Sequence, residues 1–197
     1  MPPVNQTSTS IMTADGKPKK VAIVGAGLVG SLEACYLAQR GYDVHLYEYR
    51  GDIRLMDHVP GRSINLAMSV RGRTAMRAVN VEEKIIRDHG IPMYSRMIHN
   101  RDGSCSVQPY DKDGQCIYSV GRRYVNEVLL SRAEEFGNMT IHFDHKLLSA
   151  ELEKGKATFL RLKTSKCMQC EQQLPADCTR YHPWVQSDAI SAGMVDY

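Results

Sequence analysis

Three glycines and one glutamate carry the first chemistry that can be read from this chain. Gly25-Ala26-Gly27-Leu28-Val29-Gly30 has the spacing Gly-x-Gly-x-x-Gly. It follows the apolar run Val21-Ala22-Ile23-Val24 and precedes a segment of helical character, Ser31 to Arg40. In that setting each glycine has a physical task. Gly25 permits a tight turn, Gly27 lets the backbone approach a pyrophosphate, and Gly30 lets the helix pack close to the strand. The amides of the first helical turn then face an anion. Glu48 closes the next strand-like run, Asp43-Val44-His45-Leu46-Tyr47-Glu48. A carboxylate there can accept hydrogen bonds from both hydroxyls of an adenosine ribose, and it repels a 2′-phosphate. The pattern points to a dinucleotide lacking that phosphate and leaves FAD and NAD both open. Arg50 either covers the adenine or phosphates or is a solvated arginine.

Positioning these residues requires a β-α-β unit. The run at 21–24 is continuous and β-branched, as in a parallel strand buried on both faces. Leu32, Cys35, Tyr36 and Leu37 form the expected inner side of the helix, and Gly41 its stop. Residues 49–60 read as a polar loop. Segments 68–79 and 81–88 read as helices broken near Asn80. Between 91 and 118 the pattern turns to short extended pieces, with Asp102-Gly103 and Asp113-Gly114 as hairpin signals. An amphipathic helix is expected over 122–136, with Tyr124, Val128, Leu129 and Ala133 near one face. A short strand follows at 139–143, then a hairpin of 147–152 and 157–162 about Lys154-Gly155. The expected domains are a flexible arm at 1–18, a dinucleotide domain with part of a substrate region at 19–163, and a tail at 164–197 with no clear period.

Composition narrows the function classes. The chain has 197 residues, 43% hydrophobic and 24% charged, which suits a globular protein and excludes collagen or wholesale disorder. A net charge of +3 and 7% aromatic residues give no basis for nucleic-acid binding. No apolar run approaches the roughly 20 residues of a membrane span. Six cysteines, three of them crowded at Cys167, Cys170 and Cys178, with no secretory leader, are expected to be free thiols in a reducing compartment.

Further segments are more specific than the glycine loop. They are Gly61-Arg62-Ser63-Ile64-Asn65-Leu66-Ala67-Met68-Ser69 with Arg71-Gly72-Arg73, Gly90-Ile91-Pro92-Met93 with Arg96-Met97-Ile98-His99, and Pro109-Tyr110. Together with the loop they resemble the class A FAD-dependent aromatic hydroxylases, and within them the kynurenine 3-monooxygenase family, over about residues 19–162. The resemblance implies an α/β fold: a Rossmann-like FAD-binding βαβ sheet with a partial antiparallel substrate region. It implies bound FAD, NADPH as co-substrate, and transfer of one atom of molecular oxygen to the ring of L-kynurenine, in tryptophan degradation towards pyridine nucleotides. The flavin carries that chemistry, so no acid–base triad is expected. By resemblance the cofactor is held by Gly25, Gly27, Val29, Gly30, Glu48, Arg50, Ala67, Arg122 and Leu147. Arg96 and Tyr110 match the pair that grips the substrate carboxylate; an arginine fork with a phenol suits that group.

The chain also departs from the family. Its members are more than twice as long and carry later Asp-Gly and Gly-Asp motifs that are absent or faint here. The expectation is a truncated product, from splicing, a frame change or incomplete sequence, with little or no turnover of its own. The family enzyme sits on the cytosolic face of the mitochondrial outer membrane through a C-terminal anchor; without it this chain is expected to be soluble and cytosolic. Three alternatives stay open: a non-catalytic FAD-binding or interaction fragment, a zinc module of Cys167, Cys170, Cys178 and His182, and another oxidoreductase sharing only the β-α-β unit. The zinc spacing is cramped beside familiar fingers.

Overall fold

The computed structural model describes residues 13, 16–57, 65–152, 155–162 and 166–170, the last by its backbone. Its elements in chain order are β1 (Lys20–Val24), α1 (Leu28–Gln39), β2 (Asp43–Tyr47), a 3-10 turn (Ile53–Leu55), β3 (Asn65–Met68), α2 (Val70–Ala78), α3 (Glu82–His89), β4 (Ile91–Met93), β5 (Ser95–His99), β6 (Cys105–Pro109), β7 (Ile117–Gly121), α4 (Arg122–Glu134), β8 (Met139–His142), β9 (His145–Glu151), β10 (Lys156–Arg161) and β11 (Lys166–Cys170). They fall into two units, Met1–Asp57 with Ala133–Tyr197, and His58–Arg132. The fold is α/β, as expected.

The first unit is built on a parallel sheet of order β1-β2-β8. Val21 pairs with Val44 and Val24 with Tyr47; on the other side Val44 pairs with Met139 and Tyr47 with His142. Alternation gives this sheet two different faces. Val21, Ile23, Val44 and Leu46 share the face that α1 covers, and Val44 and Leu46 are fully buried. The helix meets them with small residues. Of the expected Leu32, Cys35, Tyr36 and Leu37, only Cys35 lies on its buried side, beside Ser31, Ala34 and Ala38. Small side chains let the helix axis come close, so the larger ones sit at the flanks, half-buried. Gly41, at φ +87°, ends the helix as expected. Asn138 ties that end to β8, donating to Ala38 O (2.9 Å) and Tyr42 O (2.7 Å).

The opposite face presents His45, Tyr47 and His142, and is covered by the antiparallel meander β9-β10-β11. Phe159 of β10 is fully buried, and its ring stacks on Tyr47 at 4.1 Å between centroids. Tyr47 stacks in turn on His142 at 4.5 Å. Strand β11, where the sequence offers no period, pairs with β10 from Ala157↔Cys170 to Arg161↔Lys166. The 3-10 turn is pinned by Arg54, whose guanidinium donates to Asp52 and Glu134 at 2.6 Å each.

The second unit carries the antiparallel sheet β3-β7-β4 and the separate hairpin β5-β6. Strand β3 replaces the expected helical start at Met68: Asn65 to Met68 pair with Gly121 to Tyr118. Helices α2 and α3 break at Asn80, which holds φ +61°. Glu82 clamps them by accepting from Arg73 Nε (2.8 Å) and Arg77 Nε (2.6 Å). Helix α4 buries Val125, Val128, Leu129 and Leu130, while the expected core residue Tyr124 is half-exposed and donates to Asp88 (3.0 Å). Asp102-Gly103 turns the β5-β6 hairpin: Asp102 accepts from the Ser104 amide (2.9 Å), and Gly103 holds φ +84°. Asp113-Gly114 is a turn but not a hairpin, because β7 pairs with β3 and β4 and not with β6. Proximity in sequence lost there to the longer ladder that β3 provides.

Phe159 is the side chain that joins meander to sheet. Phe159→Ala is expected to lower unfolding free energy by about 3–5 kcal/mol in denaturant titration, the usual cost of emptying an aromatic core site. Val107→Ala, on the exposed hairpin, is expected to change it by less than about 0.5 kcal/mol.

Candidate cofactor site

The glycine loop begins where β1 ends. Gly25 takes φ +96°, which only glycine adopts without strain, and its amide donates to Tyr47 O (2.7 Å). This bond fixes the loop to the end of β2. Gly30 is required by contact: a Cβ there would lie 1.9 Å from Gly25 O. Gly27 is the reverse case. A Cβ at Gly27 would meet nothing within 4 Å, so space beside the loop is open. Gly27 is also the N-cap of α1, with no side-chain cap and no acidic residue in the first turn. The first amides of a helix have no intrahelical partner, and the dipole there is positive. Val29, in that first turn, is 77% exposed. The loop therefore offers an open, uncapped, donor-rich end, which fits a pyrophosphate.

Glu48 lies at the end of β2, and its carboxylate turns to the loop. Oε2 accepts from the Ala26 amide (2.7 Å), and Oε1 accepts from the Arg50 amide (2.9 Å). Its backbone is fixed on both sides. The Glu48 amide donates to His142 O (2.8 Å), and Glu48 O accepts from the His145 amide (2.8 Å). Arg50 is exposed, with its carbonyl accepting from the Asp144 amide (3.1 Å). Leu147 lies on β9 opposite Phe159, two residues past the His145 amide that reaches Glu48. Buried Ser31 supports the loop from beneath, donating from Oγ to Ala26 O (3.1 Å). The first unit thus gathers Gly25, Gly27, Val29, Gly30, Glu48 and Arg50 about one end of its parallel sheet, while Leu147 lies on the meander.

The remaining candidates lie in the second unit. Ala67 is exposed on β3, opposite Ser119. Arg122 is exposed and opens α4 directly after Gly121, the partner of Asn65. Arg96 stands opposite Gln108 on the hairpin, and its Nε donates to Gln108 Oε1 (2.8 Å). The Tyr110 amide extends the ladder by donating to Tyr94 O (3.0 Å). Period-two alternation places Tyr94, Arg96, Gln108 and Tyr110 on one face. All five hairpin positions of each strand are exposed.

Sequence reasoning missed Ala26, Ser31, His142, His145 and Gln108. Ala26 and Ser31 adjoin the glycines and act through backbone and hydroxyl contacts that spacing does not reveal. The two histidines need the pairing of β2 with β8, elements almost a hundred residues apart. The zinc alternative rests on side chains outside the described residues. Among the described residues no helix is long and apolar enough to cross a membrane.

Comparison with known proteins agrees with this geometry. Residues 19–173 match the family model of the FAD binding domain. The chain belongs to that family, in the class of FAD-dependent monooxygenases. Its fold resembles that of p-nitrophenol 4-monooxygenase PnpA from Pseudomonas putida, with a TM-score of 0.62 at 16% identity, over 78% of this chain and 40% of that one. The tetrameric form of 2-methyl-3-hydroxypyridine-5-carboxylic acid oxygenase gives a TM-score of 0.62 at 18% identity, over 79% and 38%. Sequence similarity is narrower, and it falls on kynurenine 3-monooxygenases. The chain is 45% identical to that of Anopheles gambiae over 182 residues, covering 92% of this chain and 37% of the relative. It is 52% identical to that of Caenorhabditis elegans over 135 residues, covering 68% and 29%. It is 40% identical to that of Sus scrofa over 186 residues, covering 94% and 39%. The chain spans well under half the length of these relatives.

The two glycines make opposite predictions. Gly30→Ala is expected to lower Tm sharply, because its methyl group meets backbone. Gly27→Ala is expected to fold, losing no more than about 1 kcal/mol as a poorer N-cap, yet to lose retention of FAD on gel filtration. Equal Tm for the two variants would contradict this account.

Proposed function

We propose that this chain is the FAD-binding part of a kynurenine 3-monooxygenase. The observation that carries this is the open glycine loop with the Glu48 carboxylate against Ala26, in a chain 40% to 52% identical to those enzymes. In this reading the α1 amides hold the pyrophosphate, Glu48 takes the adenosine ribose, and Arg50 and Leu147 border the adenine side. Ala67 and Arg122, in the second unit, are the remaining cofactor residues that the family resemblance implies. When bound, FAD supplies oxygen activation after reduction by NADPH. The protein's own residues bind, orient and shield. Arg96 and Tyr110 take the carboxylate of L-kynurenine, with Gln108 occupying Arg96 Nε so that the terminal guanidinium nitrogens stay available. The full-length activity belongs with the mitochondrial outer membrane, where the family enzyme sits.

The span of the match favours a second reading, in which the chain binds FAD without turnover. One experiment separates them. The chain is purified with FAD, freed of excess by gel filtration, and its flavin spectrum recorded. Kynurenine-dependent NADPH oxidation is then assayed. Flavin in the protein peak with oxidation supports the monooxygenase; flavin without it supports the binding fragment; a peak without flavin overturns both. Where oxidation is seen, Arg96→Met is expected to raise the KM for kynurenine by roughly tenfold to a hundredfold, the worth of a charge-assisted hydrogen bond.

A further inference from the structure

Three imidazoles stand beneath Glu48 and have no part in the reading above. His45 and His142 share one face of the parallel sheet, with His45 Nδ1 and His142 Nε2 3.0 Å apart. Their rings are nearly parallel, 5.3 Å between centroids. His145, on β9, meets His142 edge-on at 5.6 Å and donates from Nδ1 to Phe143 O at 2.6 Å. The two histidines nearest Glu48 are also its backbone partners: His142 O accepts from its amide, and the His145 amide donates to its carbonyl. The cluster and the Glu48 backbone are thus joined through residues 142 and 145.

We propose that His142 and His145 are positioning residues for Glu48, supported by His45, and that proton uptake by this cluster loosens the grip on the adenosine end of FAD. The inference rests on the FAD reading of the glycine loop.

Proton bookkeeping gives the direction. A contact of 3.0 Å between two imidazole nitrogens holds one hydrogen. A first extra proton can go to His45 Nε2, which finds no hydrogen bond in the fold but lies 3.5 Å from Asp43 Oδ1. A second must go to His142, and it sets two N–H groups against each other. Among the described residues, the groups facing the cluster are few. Asp43 on β2 favours charge on His45, and Lys20 on β1 opposes it. His145 on β9 opposes charge on His142; Tyr47 and Phe159 contribute uncharged rings. Burial, then His45 and His145, push His142 down to about 4. Burial lowers His45 as well, partly offset by Asp43.

The described fold, with His142 held low, binds these protons less readily than a state in which the cluster relaxes; in this proposal bound FAD favours the first state and its release permits the second. FAD affinity is therefore full above the ordinary imidazole value and is lost as pH falls from there towards about 4. One imidazole changing from an ordinary value sets a ceiling of about 30-fold at pH 5.0.

The test is the Kd of FAD by flavin-fluorescence titration of the full chain from pH 7.5 to 5.0, with Tm of the FAD-free chain measured alongside. The wild type is expected to weaken about tenfold across this window, within the ceiling for one imidazole. His142→Phe keeps the stack on Tyr47 and removes the titrating group; it is expected to weaken about twofold or less. His45→Gln is the second variant, for the case in which His142→Phe fails to fold. Its amide can face His142 as acceptor or donor, so it too flattens the profile. A variant that binds FAD with the wild-type pH profile overturns the proposal and leaves the cofactor site standing. Absence of FAD binding by the wild type at pH 7.5 overturns the cofactor reading, and this inference with it.

Discussion

The approach of α1 to β1 at Gly30 constrains everything around the candidate site. Gly25 O occupies the position from which any Cβ at residue 30 is barred, at 1.9 Å. That contact fixes how far the helix can advance over the sheet, and hence where its first amides point. The small buried row of Ser31, Ala34, Cys35 and Ala38 continues the same approach along the helix. Larger residues on that row would lift the helix from Val44 and Leu46 and withdraw its N-terminus from the loop. Packing and anion binding are thus one geometrical condition here. The residues that satisfy it are small because the backbone itself is the functional group.

Glu48 depends on a different layer. Its carboxylate is oriented by the amides of Ala26 and Arg50, but its backbone is held by β8 and β9. The aromatic column of Phe159, Tyr47 and His142 binds the meander to the sheet beside it. Stacked rings contribute area and direction together. A histidine in such a column adds a proton-dependent member to an otherwise inert stack. The sheet face away from α1 is therefore both the support of the site and its most titratable surface.

Much of this was legible in the sequence, for a physical reason. The β-α-β unit is local: apolar run, glycines, helix and second strand follow each other within thirty residues, so period and turn chemistry act without competition. Spacing alone singles out Gly25, Gly27, Gly30 and Glu48 on that unit, whereas Val29 and Leu147 enter only through the family resemblance. What stayed hidden depends on distant pairing. Met68, the last residue of β3, reads as the start of a helix because it continues the apolar period of α2; only pairing with β7 makes it extended. Strand β11 has no period because the edge of the meander, not its own pattern, fixes it. The histidine cluster joins His45 to His142, and no local rule relates them. On the inner side of α1 the large apolar residues Leu32, Tyr36 and Leu37 suggest the core, whereas close approach demands the small ones.

The two units carry unequal shares of the chemistry. In the first, backbone amides and a half-buried carboxylate work at the end of a covered sheet, where an anion meets oriented donors already in place. In the second, Arg96 and Tyr110 stand on a two-stranded ladder whose every residue is exposed. An arginine–carboxylate pair in water is worth only about 0–1 kcal/mol. An exposed arginine fork therefore gains selectivity for a carboxylate only where water is kept from its face of the hairpin. The fixed Nε contact with Gln108 orients the fork but does not exclude water. Binding of the dinucleotide can rest on the first unit's own geometry. The hairpin has no such shelter of its own: Tyr94, Arg96, Gln108 and Tyr110 form one exposed face.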